Sequence, residues 1–244
     1  MRQLTGVDAS FLYMENSRTV GHVAGVIIVD PSTAPRPITA ETLREFIGSR
    51  IHLLDPLRWR LVDVPLGIDL PYWVDDPDLD LEYHVRGLAL PSPGTPEQLS
   101  EQAARIVSRR LDRAHPLWET YVIEGLQDGR VAILSKMHHA AVDGKAGVQV
   151  LTTLLDPSPD AREIPPPPAT PPERVPGEAE MLTRGWMGLL GRPEAALRLA
   201  ASVAKETHAG MGKWLSQGDA GGRGGAPPRG IGGAQLAGDP RGSG

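Results

Sequence analysis

The sequence predicts a mixed α/β domain, a sheet with helices on its flanks, followed by a linker and an appendage with little to fold. Three observations carry this. In a chain of 244 residues, most aromatic side chains and nearly all readable periodicity lie before about residue 156. Within that part, β-branched or alternating segments interleave with segments of helical spacing, without the strict strand–helix alternation of a doubly wound sheet. Beyond it, proline and then glycine take over. A domain of roughly 150–160 residues is large enough to bury one core.

The elements follow in order. Residues 21–30, GHVAGVIIVD, are dense in β-branched side chains and end in the turn signal Asp30-Pro31, which predicts a strand. Thr39 can cap a helix from Ala40 to about Leu54, in which Leu43, Phe46, Ile47, Ile51 and Leu54 recur at helical spacing. Arg58 to Val64, RWRLVDV, alternates as a strand does. Leu81 to Leu90 reads as another, after the acidic run of Asp75, Asp76, Asp78 and Asp80, which is expected as a solvated turn without calcium-loop spacing. Thr95 with Pro96 at the first helical position opens a second helix through Leu99, Ala103, Ile106 and Val107. Strands over Thr120–Leu126 and Arg130–Lys136 flank Gln127-Asp128-Gly129, a hairpin turn. A helix from about Lys145 to Leu155 closes the domain, residues 1–156.

Residues 157–179 read as a linker, with nine prolines between 157 and 176 that favour extended polyproline II geometry. Residues 180–215 have a helical pattern interrupted by Gly188, Gly191 and Pro193. The stretch around Trp186–Ala204 can either cover an apolar surface of the domain or lie on a membrane interface with Arg184, Arg192 and Arg198 toward headgroups. The first is favoured. Residues 216–244 hold eleven glycines and too little apolar surface to offset ordering entropy, so disorder is expected there.

A net charge of −5 and a pI near 5.8 speak against a nucleic-acid binder, which needs a basic face to neutralise phosphates. The chain has no cysteine, which excludes disulfides, thiolate nucleophiles and zinc–sulfur sites. Neither a signal peptide nor a run of the roughly 20 apolar residues that span a bilayer is found. A cytoplasmic protein, touching a membrane only from outside, is the expectation.

The run that carries chemistry is Ala132–Gly144, AILSKMHHAAVDG: an apolar strand, two histidines, then an Asp-Gly break before a helix. Adjacent residues of a strand point to opposite faces, so His138 and His139 cannot both face one small site. One can be structural while the other is presented to a cleft. An imidazole of ordinary pKa near 6.5 is partly neutral at working pH and can take a proton from a hydroxyl. Asp143 stands close enough to order the turn or pair with an arginine, and Gly144 permits close approach or a positive φ. A metal reading through His139 and Asp143 lacks a third ligand at a familiar spacing, so no metal is expected. Trp59, Trp73 and Trp118 are read as packing residues.

HHAAVDG (His138–Gly144) fits the HHxxxDG signature of the CoA-dependent acyltransferase superfamily, which includes chloramphenicol acetyltransferase, carnitine acyltransferases and peptide-synthetase condensation domains. VDASFLYME (Val7–Glu15), RWRLVDVPLGIDLPYWVDDPDLDLEYHV (Arg58–Val85) and SRRLDRAHPLWETYVIEGL (Ser108–Leu126) resemble the bacterial wax ester synthase/diacylglycerol acyltransferase family, block after block from about residue 3 to 156. The resemblance implies a chloramphenicol-acetyltransferase-like half-domain. It further implies acyl transfer from a long-chain acyl-CoA co-substrate to a diacylglycerol or fatty alcohol, without a permanently bound cofactor or an acyl-enzyme. His139 would be the general base, His138 its support, and Asp143 a structural residue held by a salt bridge beside Gly144. The block Pro116–Trp118 would be architectural. The setting would be the cytoplasm, peripheral to a membrane or lipid-body surface.

Members of that family carry a second domain that closes the tunnel. No counterpart is found beyond residue 156, and the tail reads as a truncated or frame-shifted continuation. Oxyanion-stabilising and substrate-binding residues are not identified. Two other readings stay open. The chain can be an inactive acyltransferase-like fragment that binds lipid or a partner, or a condensation-type transferase with an amine acceptor, against which the DASFLY and PLW blocks speak.

Overall fold

The computed structural model describes residues 1–142, 144–156, 158, 162–167 and 176–190, with side chains left out at 144–145 and 188–190. Asp143, the rest of the proline-rich linker, residues 191–215 and the glycine-rich tail 216–244 lie outside the described residues.

In chain order the elements are β1 (Arg2–Gln3), α1 (Gly6–Met14), β2 (His22–Val29), α2 (Ala40–Arg50), α3 (Asp55–Arg58), β3 (Trp59–Val62), β4 (Tyr72–Asp75), α4 (Leu81–His84), β5 (Val85–Ala89), α5 (Pro96–Val107), β6 (Trp118–Glu124), β7 (Val131–His138), α6 (Gly144–Leu154) and α7 (Glu178–Leu190). The main sheet has the order β2-β7-β6-β5, and a small antiparallel sheet has the order β1-β4-β3. Strand β7 runs antiparallel to both its neighbours, while β5 and β6 are parallel. This is the mixed α/β architecture the sequence predicts.

The helix starts follow from their caps. Thr39 Oγ1 accepts the Thr42 N–H while the Thr42 side chain returns to the Thr39 N–H, a capping box that opens α2. Thr95 and Gln98 repeat it at α5, with Pro96 preset at the first helical position. The Gln127–Gly129 turn joins β6 to β7, with Gly129 at φ +68° as such a turn requires.

Three expectations need correction. The predicted strand over Leu81–Leu90 begins with a single helical turn, α4, because Asp80 Oδ1 accepts the Glu82 N–H; only Val85–Ala89 pairs with β6. Helix α2 ends at Arg50 and tightens into a 3₁₀ turn over Ile51–Leu53, just before Asp55-Pro56 starts a new turn. The acidic run is not simply solvated: Asp75 pairs with Arg58 at 3.0 Å, and a largely buried Asp76 lies 3.7 Å from Arg60.

Helix α5 covers one face of the main sheet, with Leu99 and Ile106 packed on Ile123, Ala132 and Leu134. Helices α2 and α6 cover the other, with Ile47 and Val150 around Trp118 and Val85. A third cluster joins Leu4, Ala9 and Leu12 near the N-terminus to Leu61 and Trp73 of the small sheet and to Ala140, just past β7. All three clusters therefore meet around β7 and the residues that follow it. In α7, Met181 is buried and Gly185 lies so close to Ile68 that an added Cβ would sit 2.7 Å away, whereas Trp186 and Met187 are exposed. Among the described residues no helix is long and apolar enough to cross a membrane.

Candidate active site

Strand β7 lies inside the sheet and alternates strictly. Ala132, Leu134, Lys136 and His138 are buried, and the intervening Ile133, Ser135 and Met137 are half-buried. The first set faces α5. The second faces α2 and α6, where Ile133, Ser135 and Met137 line a narrow apolar pocket with Leu43, Phe46 and Leu151. Leu43, Phe46 and Ile133 also line a wider apolar cleft of about 560 Å³ under residues 34–38. By register His139 is the next residue on that side.

The backbone leaving β7 is tied down at every step. His138 N–H donates to Leu117 O at 3.0 Å, His139 N–H to Gly21 O at 2.9 Å, and the N–H groups of Ala141 and Val142 both donate to His138 O. The Pro116–Trp118 block thus holds the motif directly. Trp118 itself is buried, donates its indole N–H to Leu57 O at 2.8 Å and stacks on His84 at 4.4 Å. That is the packing role expected of it. Trp73 is also buried, while Trp59 and Trp73 additionally border a pocket of about 280 Å³ that opens beside Ala140 and Ala141.

His138 is 1% exposed. Its Nδ1 accepts the Ala140 N–H at 3.0 Å, so the ring proton resides on Nε2, which lies 3.4 Å from Glu15 Oε1 without hydrogen-bond alignment. Burial pushes its pKa down to about 4, against the opposing pull of the Glu15 carboxylate. The ring is neutral at working pH and has no route to solvent.

His139 differs in every respect. It is half-buried, its ring stacks on Phe11 with centroids 5.0 Å apart, and neither ring nitrogen is engaged in a hydrogen bond with another described residue. A partly open imidazole whose nitrogens no described residue engages, on a backbone fixed by Gly21, has the chemistry to accept a proton. The structure thus parts the two predicted histidines, one sealed and one partly open. Gly144 begins α6, and Asp143 is outside the described residues. No group of three His, Asp or Glu side chains is gathered as metal ligands among the described residues.

Several residues around the motif escape sequence reasoning. The Glu15 side chain is buried, accepts the Gly21 N–H at 3.0 Å and pairs with Arg113 at 3.0 Å. Burial alone would raise its pKa, yet the Gly21 N–H, Arg113 and His138 together hold it below the ordinary carboxylate value. Lys136, 1% exposed, donates to Ile106 O and Arg109 O at the end of α5 and pairs with Glu119 at 3.2 Å. Tyr121 donates to the same carboxylate, and burial followed by that charge pushes its pKa up to about 12. One signal for Lys136 was available: it stands at a core-facing position of an alternating strand, where a charge implies buried partners.

Comparison with known proteins identifies the family. The sequence matches the profile of the wax ester synthase/diacylglycerol acyltransferase catalytic domain over residues 4–227. A Mycobacterium tuberculosis protein whose name marks it as a candidate diacylglycerol O-acyltransferase is 38% identical over 203 residues, covering 83% of this chain and 42% of that protein. Another from the same organism, named a probable diacylglycerol O-acyltransferase, is 37% identical over 82% of this chain and 73% of its own length. The chain therefore spans under half the length of the first of these relatives. Among solved structures, the wax ester synthase/diacylglycerol acyltransferase of Marinobacter aquaeolei superposes with a TM-score of 0.55 at 34% identity, over 67% of this chain and 41% of that one. The alternating strand that ends in HHAAVDG, the fold around it and the match over most of its length place this chain in the wax ester synthase/diacylglycerol acyltransferase family.

Proposed function

We propose that the chain carries the base-bearing half of an O-acyltransferase that moves a long-chain acyl group from acyl-CoA to the hydroxyl of a diacylglycerol or fatty alcohol. The observation that carries this reading is the placement of His139: partly open, with neither ring nitrogen engaged among the described residues, and one residue beyond the strand whose Ile133, Ser135 and Met137 line an apolar pocket. In the reaction, the His139 imidazole takes the acceptor's hydroxyl proton as the oxygen attacks the thioester carbonyl. The new C–O bond replaces the C–S bond, and the departing CoA thiolate takes the proton back from the imidazolium. No covalent enzyme intermediate is required, in keeping with a chain without cysteine.

The apolar pocket along Ile133, Ser135 and Met137 suits the acyl chain, which needs a dry wall rather than hydrogen-bond partners. Asp143 keeps the role of a residue that orders the turn. The relatives named as diacylglycerol O-acyltransferases support the acceptor class. The test is incubation of the 244-residue chain with radiolabelled palmitoyl-CoA and either dipalmitoylglycerol or hexadecanol. The reading predicts labelled ester with one thiol released per ester. Binding of palmitoyl-CoA without ester would replace it with the reading of a lipid-binding fragment, and transfer to amines alone with that of a condensation-type enzyme.

A further inference from the structure

A buried carboxylate is costly unless its oxygens are satisfied, so the partners of Glu15 show what it holds. Oε1 accepts the Gly21 N–H at 3.0 Å and lies 3.4 Å from His138 Nε2; Oε2 pairs with Arg113 at 3.0 Å. Gly21 in turn accepts the His139 N–H at 2.9 Å through its carbonyl. One carboxylate therefore reaches both histidines of the motif, one by its ring and the other by its backbone. The packing leaves no slack, because a Cβ at Gly21 would stand 2.6 Å from His138 Nε2 and 3.0 Å from Phe11 O.

The same helix supplies the surface under the imidazole. Phe11, stacked on His139, lies one turn before Glu15, which ends α1. Arg113 donates to Leu12 O as well as to Glu15, tying its own loop to that helix end. The His139 ring and the hydrogen bond that fixes its backbone are thus referred to a single element.

We infer that Glu15 is the positioning residue for the His139 imidazole, acting through Gly21 and through the His138 ring. This rests on His139 being the base. Glu15 itself neither touches the open side of the site nor serves as a proton acceptor, since Arg113 neutralises it and its oxygens are engaged. Aim of this kind matters in proportion to the reaction's geometric demand, and a displacement of about 1 Å can cost ~100-fold in rate.

The experiment compares wild type, Glu15→Ala and Glu15→Gln in the full chain by amide hydrogen exchange and by acyl-transfer kinetics. Glu15→Ala is expected to raise exchange at the His139 amide by about tenfold relative to the Leu134 amide of the same strand. Glu15→Gln, which keeps an oxygen for the Gly21 N–H, should return that ratio to within about threefold of wild type. In turnover, Glu15→Ala lowers kcat by about tenfold or more with KM for palmitoyl-CoA nearly unchanged, and Glu15→Gln recovers most of it. Exchange that rises equally at His139 and Leu134, or at neither, overturns the assignment. If Glu15→Ala does not fold, Glu15→Asp, one methylene short of Gly21, must raise the same ratio. A wild-type chain without turnover contradicts the transferase reading, while the exchange ratio still decides the role of Glu15.

Discussion

At the scale of single residues, the two adjacent histidines have opposite fates because a strand sends neighbours to opposite faces. His138 is sealed and His139 is partly open. Burial has a consequence for stability. An unfolded histidine takes up a proton near pH 6.5, whereas folded His138 does so only near pH 4, so protons favour the unfolded chain between those values. The stabilisation is complete above about pH 6.5 and is lost progressively as pH falls toward 4, amounting to ~3 kcal/mol in all. Urea denaturation of wild type and His138→Asn across that window should show the steeper pH slope in wild type, and parallel slopes would contradict it. Glu15, Arg113 and His22 face or act on this ring and set the baseline. That the two histidines would differ in burial was readable from alternation, which did not say which of them is sealed. Glu15, Gly21 and Arg113 were not readable, because their partners lie 98, 101 and more residues away and no local pattern announces them.

At the scale of elements, Lys136 fastens α5 to β7. Its ammonium meets the carbonyls of Ile106 and Arg109 where α5 ends and the helix dipole favours a cation, and its charge is matched by Glu119. Lys136→Ala leaves the buried Glu119 with only the more distant Arg86, 3.9 Å away, and we expect it to destabilise the fold by about 3 kcal/mol in thermal or chemical unfolding. Thr95→Ala, which removes only one cap at the other end of α5, should cost about 1 kcal/mol. A reversed order of these two effects would show that the buried pair contributes less than the cap. Helices α2 and α5 were legible because their caps and apolar spacing agree. Helix α1 was not: Val7, Phe11, Leu12, Tyr13 and Met14 surround it rather than forming one stripe, and Val7, Tyr13 and Met14 remain exposed. The turn α4 was hidden because Asp80, read as part of an acidic run, is a helix cap.

At the scale of the molecule, the sheet separates a side with buried charges from a side with an apolar pocket. The α5 side buries His138, Lys136, Glu119 and their hydrogen bonds. The α2 and α6 side keeps the apolar pocket and cleft along β7. An acyl chain laid there would meet Ile133, so Ile133→Trp is predicted to lower kcat/KM for palmitoyl-CoA by about tenfold relative to octanoyl-CoA, a loss in scale with the apolar contact displaced. Equal losses for both donors would place the chain elsewhere. The class of fold was accessible from the sequence, which also pointed to the end of β7 as the place to look for chemistry. The pocket was not, since it is made by α2, α6 and β7 together and no one segment carries its shape. The central claim, that the imidazole of residue 139 is the proton acceptor, is met most directly by measuring ester formation from palmitoyl-CoA in wild type and His139→Ala at matched folded concentration. The account predicts a fall of about 100-fold or more with the unfolding temperature little altered. Ester made at an undiminished rate by the variant would contradict it.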